Sequence, residues 1–189
     1  MTTEDDNGTG LSRRRAMLLA GATAAALAGL EAAVPTPALA AQSGWRWCLQ
    51  CGSLWRPGLP YNACPAGGAH VARSWNYVLK VESEGGPGQP EWRLCANCQA
   101  LWWRGNGNTG QCSGAPMGHN EVGWGTISPR YVLETATANT GGTGQANWRY
   151  CSNCHVMVYN DTGTNSAGRC AAGGRHYTGG SWNFRIKYV

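Results

Sequence analysis

Nine cysteines fall into three copies of one spacing, each followed by a histidine: Cys48, Cys51, Cys64 and His70; Cys95, Cys98, Cys112 and His119; Cys151, Cys154, Cys170 and His176. Each copy reads C-x2-C, a gap of 12 to 15 residues, C, then 5 or 6 residues and H. Three thiolates and an imidazole at that spacing form one tetrahedral Cys3His site, and zinc is the ion that such a donor set suits. Three structural zinc ions would account for every thiol and for three of the four histidines. The fourth, His155, follows Cys154 and reads as a solvent-exposed side chain. The alternative is a crossed disulfide framework, which needs bridges between copies and strands one thiol. Redox chemistry fits poorly, because a thioredoxin-like C-x2-C sits at a strand-to-helix turn and no helical pattern follows any of these.

Such sites need a turn that aims two sulfurs at one ion and a loop that returns the third sulfur and the imidazole. The C-x2-C pairs therefore read as knuckles at hairpin turns. Cys64 to His70 and Cys170 to His176 share C-x2-G-G-x-H, in which glycines permit a tight bend. Cys112 to His119 departs from it, with Met117 and one additional residue, so His119 is the least regular of the three histidines.

The repeats extend beyond the ligands. Gln42-x2-Trp45-Arg46, Gln89-x2-Trp92-Arg93 and Gln145-x2-Trp148-Arg149 open the units, and Leu54-Trp55, Leu101-Trp102 and Val156-Met157 follow the knuckles. Strand-like runs close them: 74–79, 128–133 and 181–186, rich in Trp, Tyr and Val and bounded by Gly, Asn and Pro. No window carries a helical period, so the fold class is all-β. The predicted organisation is one domain, 41–189, of three tandem zinc-ribbon-like repeats (42–84, 85–140 and 141–189). Short G-G-x-G-Q connectors and the absence of leftover chain favour closure about a pseudo-threefold axis, in the manner of a β-trefoil, over separate beads.

Residues 1–40 read as a cleaved export signal. Ser12-Arg13-Arg14-Arg15 resembles the twin-arginine motif, the apolar run from Ala16 to Leu30 is too short to span a bilayer, and Ala38-Leu39-Ala40 supplies a small-residue cleavage pattern. The implied partner is the twin-arginine translocase, which carries folded proteins. The implied location is extracellular or periplasmic, with no stable membrane insertion. Metal bound in the reducing cytosol would protect the thiols during passage. From Ala41 onward there are seven Leu, eight Val, two Ile and one Phe in 149 residues, a thin aliphatic core. Units this small normally need a staple.

The repeat resembles a tandem module of exported bacterial proteins of unassigned function, carrying W-x2-C-x2-C-x2-L-W, then C-x2-G-G-x-H, then Y-x-L. The likeness covers nearly all of Gln42 to Val189. It implies repetition, export and metal, and it implies no activity.

A catalytic zinc keeps one position open for water, whereas these sites fill all four. The six acidic residues beyond Ala41 (Glu82, Glu84, Glu91, Glu121, Glu134 and Asp161) recur at no common repeat position, and no G-x-S-x-G or H-E-x2-H motif is present. A zinc-dependent hydrolase is thus the weakest reading. Ten tryptophans, and ten Arg with two Lys against those six acids, suit stacking on sugar rings and docking of anionic groups. The expected function is a secreted, non-enzymatic module that binds glycan or cell-envelope polymer. A polyanion or nucleic-acid binder is the alternative, and export argues against the nucleic acid. Trp45, Trp92 and Trp148, and likewise Trp75 and Trp182, recur at common positions and read as packing. The unrepeated Trp47, Trp103 and Trp124, with Arg56 and Arg104 in the variable turns, are the candidate ligand contacts.

Overall fold

The computed structural model describes residues 41–123, 126–138, 143–161 and 168–189. The export segment expected over 1–40 lies outside the described residues, as does Trp124. Among the described residues no helix is long and apolar enough to cross a membrane.

The chain is all-β, and each repeat supplies a hairpin and a closing strand. The first repeat has β1 (Gln42–Cys48), β2 (Leu54–Trp55) and β3 (Ala72–Val81). The second has β4 (Gln89–Leu94) and β5 (Leu101–Trp103), a small added hairpin of β6 (Val122–Gly123) and β7 (Thr126–Ile127), and β8 (Tyr131–Leu133). The third has β9 (Gln145–Tyr150), β10 (Met157–Tyr159) and β11 (Phe184–Tyr188). All but β6 and β7 join one nine-stranded sheet.

Closure about a pseudo-threefold axis is written in the backbone at two levels. Among the closing strands, β3 pairs antiparallel with both β8 and β11, and Thr135 bridges Phe184. One hydrogen bond recurs cyclically there: Glu82 N–H to the Arg130 carbonyl (2.8 Å), Ala136 to Asn183 (2.7 Å) and Val189 to Asn76 (3.0 Å). Among the hairpins, Trp55 bridges Ala100, Trp102 bridges Val156 and Val158 bridges Ser53. Here the Arg56, Trp103 and Tyr159 N–H groups donate to the carbonyls of Gln99, His155 and Gly52 at 3.0, 2.9 and 3.0 Å. Each repeat pairs with the next and the third returns to the first. Strand edges that three separate beads would leave unpaired are thereby used internally.

The core fills the inside of this ring. Trp45, Trp92 and Trp148 are fully buried, each set nearly perpendicular to an aromatic ring of another repeat. Trp45 meets Tyr131 (5.2 Å between centroids), Trp92 meets Phe184 (5.6 Å) and Trp148 meets Tyr77 (5.1 Å). Leu54, Leu101 and Met157 from the hairpins and Leu79, Leu133 and Ile186 from the closing strands complete it. Large rings fill the volume that aliphatic residues occupy in an ordinary core. Two of the three aromatic partners also donate a hydrogen bond: Tyr77 Oη to Gln145 Oε1 and Tyr131 Oη to Gln42 Oε1. At the third position Phe184 has no hydroxyl to offer Gln89.

One recurring pair departs from the sequence reading. Trp75 and Trp182, expected as packing, are exposed at 48% and 58%. Buried and less buried residues alternate along β3, with Tyr77, Leu79 and Val81 inward. Trp75 continues that inward row past the point where the core ends.

The Tyr–Gln bonds generate a test by chemical denaturation of the metal-loaded protein. Tyr131→Phe is expected to destabilise by about 1 kcal/mol, because the Gln42 carbonyl loses its donor. Phe184→Tyr is expected to be neutral or stabilising, since it supplies the hydroxyl absent from the third position. Loss of stability in the second variant comparable to the first would show that the three positions are not equivalent.

Candidate metal centres

Each knuckle is a tight turn tied at its base. Cys48 N–H donates to the Ser53 carbonyl (2.9 Å) and Gly52 N–H to the Cys48 carbonyl (2.9 Å). The same two bonds occur at Cys95 with Ala100 and Gln99, and at Cys151 with Val156 and His155. The turn requires left-handed backbone just after the second cysteine, and Gly52, Gln99 and His155 have φ of 77°, 63° and 67°. Only the first repeat meets this with glycine, and the other two accept a strain of about 1–2 kcal/mol. This position explains His155. It is buried rather than exposed, packed against Tyr150 at 5.4 Å, and belongs to none of the three ligand sets. Burial shifts its pKa downward.

The return loops behave as their glycines suggest. Gly67 and Gly68 have φ of 99° and 66°, Gly173 and Gly174 have 94° and 65°, and the Cys64 and Cys170 N–H groups donate to the carbonyls of Gly68 and Gly174.

These elements bring together the three predicted ligand sets, and in each the donor atoms lie within 4.8 Å of one another. All twelve ligands are buried save Cys112, which is half-buried. The first and third sulfurs of the sets stand 3.9, 3.8 and 3.9 Å apart, and no cysteine is bonded to another. A covalent S–S bond would need about 2.0 Å. A tetrahedron of sulfurs around zinc, with bonds of about 2.3 Å, has edges of about 3.8 Å. The spacing therefore fits three structural zinc ions. The irregular middle loop leaves Cys112 less buried but returns its histidine to the same distance: His119 Nδ1 is 3.5 Å from Cys98 Sγ, against 3.4 Å for His70 to Cys51 and 3.3 Å for His176 to Cys154.

With Nδ1 turned to the sulfurs, Nε2 of each imidazole points to the neighbouring repeat. His70 Nε2 lies 3.0 Å from the Cys98 carbonyl, His119 Nε2 2.9 Å from the Cys154 carbonyl and His176 Nε2 3.0 Å from the Cys51 carbonyl. A metal on Nδ1 leaves the proton on Nε2, where it can donate to these oxygens. Trp55 stacks on His70 (5.1 Å) and Trp102 on His119 (5.4 Å), which fixes ring orientation further. Val158 holds the corresponding position in the third repeat, because the strand register sets Met157-Val158, and not Val156-Met157, equivalent to Leu54-Trp55. Ser53 Oγ sits 3.0 Å from Cys51 Sγ. On the axis between the three histidines, a void of 10 Å³ has room for no more than one water.

The protonation chemistry suits a cation. Burial works against a charged imidazole, yet the adjoining sulfurs overcome it and raise His70, His119 and His176 to about 9. Hydrogen bonds from neighbouring thiols pull Cys48, Cys95 and Cys151 well below the ordinary thiol value. Neighbouring sulfurs and burial push Cys51, Cys98 and Cys154 well above that value, so each cluster holds thiolate charge that a proton on the imidazole balances and that a metal ion can balance in its place.

The candidate ligand contacts are dispersed. Trp47 is half-buried against Tyr159 (5.9 Å) beside a hollow of 260 Å³ that Asp161 also lines. Trp103 is half-buried against Tyr150 (5.4 Å), with Nε1 donating to the Pro90 carbonyl at 3.0 Å. Arg56 Nε donates to the Ser43 carbonyl at 3.3 Å, and Arg104 pairs with Glu121. The aromatic surface that sequence reasoning missed is Trp75 stacked on Tyr188 at 4.1 Å and 22°. Their strands meet only through the threefold pairing, so no local signal marks it.

Comparison with models of known families, with curated proteins and with solved structures returns no match for this chain.

Metal retention should fall with acidity, because each proton restored to an imidazole or thiolate competes with the ion. Elemental analysis after gel filtration is expected to find about three zinc ions per chain at about pH 7.5 and far fewer at about pH 4. Equal retention at both values would contradict ligation by these groups.

Proposed function

We propose that this is an exported, non-enzymatic module in which zinc maintains shape and the outer surface binds glycan or cell-envelope polymer. The observation that carries the reading is the Trp75–Tyr188 stack. Trp75 keeps 48% of its surface in solvent, and Tyr188 backs it in near-parallel contact. A chain short of core residues leaves this large ring outside, and leaves Trp182 outside at the corresponding position of the third repeat. Tyr77 lies 6.5 Å from Trp75 and 6.4 Å from Tyr188, so the platform is anchored to the core. A flat, immobilised aromatic face meets the apolar face of a pyranose ring at small entropic cost. The arginine excess suits anionic envelope polymers.

The carboxylates lend support to a non-catalytic reading. Arg93, 2% exposed, engages Glu91 at 2.7 Å and Glu121 at 2.6 Å, and Arg104 also engages Glu121. Glu84 accepts hydrogen bonds from the Ala41 and Val81 N–H groups at 2.8 and 3.2 Å. These carboxylates are engaged in holding Arg93 and the backbone in place. The metal sites themselves are buried and supply four donors each, with no position left for water.

The experiment is retention of the zinc-loaded protein on insoluble polysaccharides and purified cell wall. Trp75→Ala and Trp182→Ala are each expected to weaken retention several-fold while zinc content stays unchanged, in line with about 0.5–1.5 kcal/mol for an aromatic contact. Indifference to every polymer would overturn the proposal. Steep salt-dependent binding to DNA, with none to neutral glycan, would favour the polyanion reading.

A further inference from the structure

We infer that the three metal sites are coupled head to tail, each histidine serving one site as ligand and the next as the donor that holds its knuckle. The inference depends on metal occupancy and not on what the surface binds.

The geometry is cyclic and has a direction. His70 belongs to the first site and its Nε2 meets the carbonyl of Cys98, a ligand of the second. His119 belongs to the second site and meets Cys154 of the third, and His176 belongs to the third and meets Cys51 of the first. Each contact is buried. The following carbonyl of each knuckle is also held by the preceding repeat, through the Arg56, Trp103 and Tyr159 N–H groups. The same repeat's long loop lies over the turn. Gln99 Nε2 donates to the carbonyls of Leu59 and Tyr61. Gly110 passes so close to Cys154 that a Cβ there would lie 2.6 Å from its carbonyl oxygen, and Gly168 would meet Cys51 at 2.4 Å.

Two successive peptide units of every knuckle are thus positioned by the repeat before it, and the imidazole is the part whose orientation its own metal fixes. When the first site empties, His70 loses the ligation that fixes its angle, and its Nε2 donor is held less firmly against the carbonyl of the Cys98 turn. Its sulfurs are then less well aimed. The second site weakens first, and the third only through the second. Outer contacts of this kind typically govern metal affinity by 10–100-fold.

His70→Cys separates ligation from coupling, because a fourth thiolate can complete an all-sulfur tetrahedral site and cannot donate to the Cys98 carbonyl. The zinc-loaded variant is exposed to a chelator and a thiol-alkylating reagent, and each cysteine is followed by peptide mass spectrometry. Cys95, Cys98 and Cys112 are expected to react about tenfold faster than in the wild type, and faster than Cys151, Cys154 and Cys170. His119→Cys should move the sensitive site to the third repeat. Equal acceleration at the second and third sites, in a variant that retains three zinc ions, would overturn the inference. The wild type supplies an arm that does not depend on a variant folding. At substoichiometric zinc, native mass spectrometry should show mainly metal-free and three-metal chains, and a statistical spread of one- and two-metal species would overturn the coupling.

Discussion

Coordination of sulfur and imidazole to a buried cation is the interaction on which the rest depends. Each cluster collects three sulfurs and an imidazole from positions up to 25 residues apart, Cys151 to His176, and buries them. Concentrated thiolate charge in a low-dielectric interior is tolerated only beside an opposite charge. A structural zinc contributes about 10–16 kcal/mol of apparent binding free energy in small finger peptides. The net stability of a whole domain is about 5–15 kcal/mol. The rest of the core also carries penalties that hydrophobic burial alone must offset. Trp45, Trp92 and Trp148 bury their indole N–H groups without an oxygen or nitrogen partner, at about 1–3 kcal/mol each where nothing compensates.

The threefold frame is stricter in its backbone than in its side chains. Both rings of main-chain hydrogen bonds and the ring of histidine contacts survive where the residues around them change. Val158 stands where the other two repeats carry a tryptophan, Phe184 stands where they carry a tyrosine, and Gln99 and His155 occupy a turn that glycine would enter without strain. Backbone bonds and metal contacts are directional and cannot be repacked, whereas an aromatic can give way to a smaller ring or an aliphatic if volume is roughly kept. The equivalent positions Trp75, Pro129 and Trp182, two residues ahead of the inward aromatic of each closing strand, vary as well. The second repeat departs most, with its added β6–β7 hairpin and the Glu91–Arg93–Glu121 ion pairs that no other repeat has residues to form.

The ligand set, the repeat and the all-β class were legible because metal chemistry imposes short fixed spacings that a linear text preserves. The C-x2-G-G-x-H loops announced their positive φ for the same reason. His155 and Trp75 were not legible, and the causes differ. Position next to Cys154 says nothing of burial, which is decided by the left-handed turn and by the Gly110 loop from another repeat. Recurrence of Trp75 and Trp182 marks an equivalent position, but the core stops at Tyr77, and only the pairing of β3 with β11 reveals where. The histidine relay was hidden too, since its donors and acceptors lie 28, 35 and 125 residues apart. Nothing local in the sequence distinguishes a carbonyl that will receive an imidazole proton.

The central claim is that coordination, and not covalent cross-linking, closes the three repeats. Native mass spectrometry of the purified folded chain, paired with alkylation under denaturing, metal-free conditions, tests it most directly. The account predicts a mass with three zinc ions and nine alkylated thiols. A metal-free folded mass, or fewer than nine reactive thiols because half-cystines are bridged, would contradict it.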